Sequence, residues 1–191
     1  MTRSIRSLTK RIGSYAMAKK ALPQLDLLCK VLDYDPETGS LFWRAKVAKK
    51  IRIGDLAGRI TNKGYCQIQL IGNCYLAHRI AWKMHTGADP IDQIDHINGC
   101  KSDNRIANLR EATQSENLYN QQLYRSNTSG HKGVSWHKRI MQWYSYINVN
   151  GERKNLGYFP DLNDAVAAYA AAATVLHGEF LNLGTKGNNN V

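Results

Sequence analysis

Residues 95–120 hold the side chains best suited to chemistry. Asp95 and His96 are adjacent. On a strand, neighbouring side chains point to opposite sides, so the two do not easily grip one metal together. They divide labour instead. A carboxylate ligates a hard cation, and an imidazole titrating near neutral pH takes a proton from water. Asn98-Gly99 is a hairpin turn signal, so the chain should reverse there. Thr113-x-x-Glu116 is a capping box that should start a helix. Asn117 then falls in its first turn, with Asn120 three residues on and on the same face. The segment predicts strand, turn, strand, helix, with Asn117 brought across a small site to Asp95. One divalent cation and one water-activating imidazole suffice for phosphodiester cleavage.

The elements around this segment are read from periodicity. Leu76 to Thr86 has helical spacing, with Leu76, Ile80 and Met84 stacked and Gly87 as the cap. Residues 31–75 read as strands joined by tight turns. Asp35-Pro36-Glu37-Thr38-Gly39 is a turn leading into the strand Ser40 to Trp43. Tyr65 to Ile71 alternates, and Gly72-Asn73 reads as a two-residue turn into Cys74-Tyr75-Leu76. Arg44, Lys46, Lys49, Lys50, Arg52 and Arg59 form a basic cluster between these hairpins.

Composition narrows the partner. The chain has 191 residues and a formal net charge of +11, which favours a polyanion, either nucleic acid or an acidic membrane surface. The longest apolar run, Ala165 to Leu176, is too short to span a bilayer. Cys29, Cys66, Cys74 and Cys100 make no Cys-x-x-Cys pair, which disfavours a structural zinc site. No apolar stretch follows the basic N-terminus. The expectation is a cytoplasmic protein with reduced thiols.

With these residues in place, 76–124 resembles the HNH (ββα-metal) nuclease fold, and most closely the phage-type HNH homing endonucleases. The resemblance runs from Ala77-His78-Arg79-Ile80-Ala81 through the Asn117 helix. It implies that His96 is the general base and Asp95 the metal-binding carboxylate. It implies that Asn108 ties the loop together and that Asn117 occupies the last family position. An amide oxygen there suits magnesium better than zinc. The implied cofactor is Mg2+, or Mn2+ or another divalent cation, one per site. His78 reads either as a neighbour of the site or as a buried helix histidine. Arg105 and Arg110 remain without an assigned role.

From His131 the pattern changes. Val134 to His137, Trp143 to Val149 and Arg153 to Phe159 read as strands, with Asn150-Gly151 as the last turn. That turn sets Val149 opposite Glu152, Asn148 opposite Arg153 and Tyr146 opposite Asn155. One face should carry Trp143, Ile147, Val149, Leu156 and Tyr158 against an alanine-rich helix, Asp161 to His177. The other should carry Ser135, His137, Tyr144, Tyr146, Asn148, Arg153 and Asn155, with Lys138 and Arg139 in the adjoining turn. Such a polar, basic, aromatic face suits a DNA groove and its phosphates. The matching residues are His131-Lys132-Gly133-Val134, Trp143, Asn155 to Phe159, Ala165 to Ala173 and His177 to Asn182. On them, 131–184 resembles the plant ethylene-response-factor DNA-binding domain, which implies that this face reads duplex DNA.

The expected fold class is α+β: a ββα-metal HNH core preceded by small β-hairpins and followed by a three-stranded antiparallel sheet packed on one helix. The expected organisation is a basic arm (1–22), a nuclease domain (23–124), a linker (125–130), a DNA-binding domain (131–184) and a disordered Asn-rich tail (185–191). The expected function is metal-dependent hydrolysis of double-stranded DNA, nicking one strand per active site. The rivals are a DNA-binding regulator with an inactive site and a phage nuclease of low specificity.

Overall fold

The computed structural model describes residues 21–184. The basic arm, apart from its last two residues, and the Asn-rich tail lie outside the described residues. Leu22, assigned above to the arm, is 8% exposed and belongs to the core.

A short helix, α1 (Leu25–Val31), runs directly into β1 (Leu32–Tyr34), which pairs antiparallel with β2 (Leu41–Trp43). The sequence reading assigns no element to 23–30, where most of α1 lies, because its seven residues are too few to show a helical period. Leu28 and Leu32 are fully buried, each contributing roughly 1.5–3 kcal/mol of apolar transfer. The turn between β1 and β2 is built on Asp35, whose Oδ1 accepts from the Glu37 N–H at 2.9 Å and whose Oδ2 accepts from Thr38 Oγ1 at 2.7 Å. Gly39 closes it at φ +73°, where an added Cβ would collide with the backbone of Asn104 and Arg105, so there is no room for a side chain.

A second small sheet holds β3 (Arg59–Ile60), β4 (Cys66–Leu70) and β5 (Asn73–Leu76) in that order. Leu70 pairs with Asn73, so the turn is Ile71-Gly72, one residue earlier than the sequence reading. Ile71 and Gly72 both have positive φ, the geometry a two-residue hairpin needs. β5 passes straight into α2 (Ala77–Thr86), which Gly87 ends in the left-handed region. Ile80 and Ala81 of α2 pack with Leu28, Leu41, Ile68, Ile94 and Leu109 in one core.

Next comes the ββα unit. β6 (Gln93–His96) pairs antiparallel with β7 (Leu109–Ala112), followed by α3 (Gln114–Asn120). Asn98-Gly99 turns the chain, but no tight hairpin follows. It opens a loop over 97–108 that ends in the 3-10 turn Ile106–Asn108. The capping box at Thr113 is complete: Thr113 Oγ1 accepts from the Glu116 N–H, and the Glu116 carboxylate accepts from the Thr113 N–H.

The last unit is a meander of β8 (Val134–His137), β9 (Gln142–Val149) and β10 (Glu152–Phe159), backed by α4 (Leu162–His177). Ile147, Val134, Ala165, Tyr169 and Ala173 form its separate core. The register across Asn150-Gly151 pairs Val149 with Glu152, Asn148 with Arg153 and Tyr146 with Asn155. A bulge between Asn155 and Gly157 then changes the faces, and Tyr144 pairs with Tyr158. Leu156 and Phe159 therefore turn to the core, and Tyr158 joins the exposed face instead. The architecture is α+β, made of several small antiparallel sheets and helices. Among the described residues, no helix is long and apolar enough to cross a membrane.

The segment 125–130 is tied down rather than free. Ser129 Oγ donates to the Val134 carbonyl at 2.7 Å, and the Gly130 N–H donates to Asn127 Oδ1 at 2.7 Å.

Candidate active site

The strands β6 and β7 set the first pair of side chains. Asp95 lies opposite Arg110, and His96 lies opposite Leu109. Asp95 and His96 are both buried. Arg110 donates from Nε and Nη2 to Asp95 Oδ2, each at 2.9 Å. Asn120 donates from Nδ2 to both Asp95 oxygens, at 3.0 and 3.1 Å, and to the His96 carbonyl at 2.8 Å. The carboxylate is thus held between a guanidinium and an amide.

His96 is oriented by the long loop. Its Nε2 donates to Asn104 Oδ1 at 3.2 Å. An amide oxygen only accepts, so Nε2 carries the proton and Nδ1 holds the free lone pair. Burial pushes the His96 pKa below its ordinary value, against the raising effects of the Asn104 hydrogen bond and the Asp95 charge. The ring is therefore neutral near pH 7 and able to accept a proton.

Two further groups fix the loop. Asn108 Oδ1 accepts from the Asn98 N–H at 2.9 Å, and Asn108 Nδ2 donates to the Asp103 carbonyl at 2.8 Å. Tyr34 donates its hydroxyl to the Asn104 carbonyl at 2.8 Å, and the Ile106 N–H donates to the Pro36 carbonyl at 3.1 Å. The turn over 35–39 thus buttresses the residue that holds His96.

Asn117 and Asn120 divide differently from the sequence reading. Asn120 is the amide on Asp95. Asn117 donates from Nδ2 to Gln93 Oε1 at 2.7 Å, one position before Ile94 on the neighbouring strand. Both amides still line the same cleft of about 360 Å³, together with Tyr65, Asp95, His96 and Lys101. A larger hollow of about 790 Å³ beside Leu27, Val31, Trp43 and Ile51 is mainly apolar and holds no carboxylate–imidazole pair.

The donor set fits a hard divalent cation. It offers one carboxylate and the Asn117 amide, with room for water and phosphate. Among the described residues, no three His, Cys, Asp or Glu side chains converge into a closed metal cage.

The family model described as HNH endonuclease matches residues 75–119. Protein 3.8 of Escherichia phage T7 is 36% identical over 104 residues, spanning 54% of this chain and 85% of that protein. The chain belongs to the HNH endonuclease family. A solved structure of DNA binding and cleavage by the HNH homing endonuclease I-HmuI aligns over 78% of the chain and 85% of its own, at 22% identity and a TM-score of 0.37.

This HNH endonuclease places a second polar surface on its C-terminal sheet. Tyr144 stacks on Tyr146 and Tyr158, with ring centroids 5.4 and 5.0 Å apart. The Arg153 guanidinium lies 4.1 Å over the Tyr146 ring, and its Nε donates to Asn148 Oδ1 at 3.5 Å. Ser135 pairs with Tyr144, and the His137 ring meets Tyr158 edge-on. Lys138 and Arg139 are exposed in the adjoining turn, whereas Asn155 is taken up by the bulge, where its Oδ1 accepts from the Gly157 N–H. Gln121, Gln122 and Tyr124 line both the nuclease cleft and a second hollow of about 420 Å³ that reaches Tyr146 and Asn148.

Arg110, Asn104 and Gln93 had no assigned role in the sequence reading. Arg110 was within reach, since pairing Leu109 with His96 places it opposite Asp95. Asn104 carried no periodic signal, because an irregular loop has none.

Proposed function

We propose that this protein cleaves double-stranded DNA by metal-assisted hydrolysis in the cleft between β6, β7 and α3. The observation that carries the reading is the neutral, buried His96, held through Nε2 by Asn104 beside the Asp95 carboxylate. His96 Nδ1 takes a proton from water as its oxygen attacks the scissile phosphorus. Asp95 and Asn117 would hold a divalent cation, Mg2+ or Mn2+, one per site. When bound, such a cation neutralises phosphate charge and stabilises the leaving oxygen. Asn108 keeps the loop closed around Asn104, and so keeps His96 on its line of attack. With one cleft per chain, the expected product is a nick in one strand.

The C-terminal sheet serves as the DNA-tethering module, in the manner of an ethylene-response-factor-like domain. Arg153, stacked on Tyr146, presents a preorganised guanidinium, and Tyr144, Tyr158, Ser135, His137, Asn148, Lys138 and Arg139 surround it. The shared wall at Gln121, Gln122 and Tyr124 supports one duplex touching both surfaces. Nicking of supercoiled plasmid, with magnesium and with chelator, tests the reading.

A further inference from the structure

The C-terminal module reaches the nuclease cleft through three contacts that end on residues of the site. Arg110 donates from Nη1 to the Glu179 carbonyl at 2.7 Å. Its guanidinium carbon lies 3.9 Å from the centre of the Phe180 ring. The same guanidinium donates to Asp95 from its other two nitrogens, so its planar fork is fixed on every side. The third contact is Asn182, whose Nδ2 donates to the Asn120 carbonyl at 2.8 Å and to Asn120 Oδ1 at 3.4 Å. Asn182 Oδ1 accepts from the Gly184 N–H, which leaves its amide one orientation. Asn120 is thereby turned with its oxygen towards Asn182 and its nitrogen towards Asp95.

We infer that the segment Glu179 to Asn182 is a positioning element of the nuclease site, in which Phe180 sets Asp95 through Arg110 and Asn182 sets it through Asn120. The inference rests on the reading of Asp95 as the metal-binding carboxylate. Phe180 is buried, so its ring contact is not a passing surface encounter. On this account the C-terminal module is more than a tether: without it, the carboxylate has the same neighbours, but Arg110 and Asn120 each lose a partner that orients them. Magnesium is the stricter probe of such looseness, because it demands near-ideal octahedral geometry.

The test uses the full chain and three variants. Phe180→Leu keeps an apolar side chain in place but removes the ring. Phe180→Tyr restores the ring. Asn182→Ala removes the amide donor. The first readout needs no metal: exchange of the Arg110 Nε–H with water, followed in nitrogen-15 spectra. Phe180→Leu should speed it about tenfold, the scale of one cation–π contact, and Phe180→Tyr should restore it. The second readout is plasmid cleavage with magnesium against manganese. Phe180→Leu and Asn182→Ala should lower magnesium-supported cleavage about 10- to 100-fold and manganese-supported cleavage less, with DNA affinity unchanged. A merely destabilised protein would lose both activities equally. Unchanged Arg110 exchange in Phe180→Leu overturns the inference, as does an equal loss with both metals. A parent that cleaves with neither metal overturns the nuclease reading instead, and the exchange measurement still decides the positioning contact.

Discussion

The ring of His78 stands edge-on to the ring of His96, with centroids 5.0 Å apart and planes at 90°. His78 is 4% exposed, and its Nδ1 is buried with no hydrogen-bond partner. It is thus both a buried helix histidine and a neighbour of the site, the two alternatives its sequence position left open.

That burial has a pH signature. Desolvation, then the nearby His96 and Arg79, push the His78 pKa down to about 3. On acidification the unfolded chain takes up the proton at the ordinary histidine pKa, well before the folded chain does. Stability is therefore full above about pH 6.5 and falls as pH drops towards 3, by roughly 2 kcal/mol between pH 7 and pH 5. His96 and His177 shift in the same direction and steepen the loss. Urea unfolding across that range measures it, and the slope should flatten in His78→Phe.

Asn104→Ala removes the only hydrogen bond described for the His96 ring. The imidazole then loses its fixed tautomer and direction. Cleavage should fall about 10- to 100-fold while DNA affinity stays near the parent value, because Asn104 is buried and offers nothing to DNA. Single-turnover rates at saturating protein, set beside binding isotherms, separate the two.

Arg153→Ala should act in the opposite way. It removes an exposed guanidinium stacked on Tyr146. Affinity should weaken by about 1–3 kcal/mol if it reads a base, or the salt slope should shrink by about one unit if it meets a phosphate. The rate at saturating protein should hold. Binding isotherms at several salt concentrations check this, and an unchanged affinity would remove the sheet face from the DNA path.

Gly133→Ala should destabilise the C-terminal module. Gly133 has φ +64°, and an added Cβ would collide with the Tyr169 ring and the Tyr146 carbonyl. Both are core features of that module, so neither yields cheaply. The expected loss is roughly 3 kcal/mol, read as a lower Tm by calorimetry.

Much of this arrangement was legible in the sequence where local chemistry decides it. The capping box at Thr113, the Gly87 helix stop and the Asn150-Gly151 register each depend on a few adjacent residues. The illegible parts depend on distant ones. The bulge that moves Tyr158 to the exposed face arises at Gly157, where alternation alone would have kept it inside. The Asn120 amide reaches Asp95 because of how α3 packs on β6, which a helical wheel does not specify. The hold of Asn104 on His96 crosses an irregular loop, buttressed by Tyr34 and Pro36 from far upstream.

The central claim is that His96 activates water beside a metal on Asp95. The most direct test is nicking of supercoiled plasmid by the parent and by His96→Ala, each with magnesium and with chelator, alongside DNA binding. The account predicts magnesium-dependent nicking by the parent, none above background by His96→Ala, and equal DNA affinity for both. Nicking by His96→Ala at the parent rate would contradict the base assignment. Tight binding without cleavage by the parent, under any divalent ion, would make the protein a DNA-binding regulator instead.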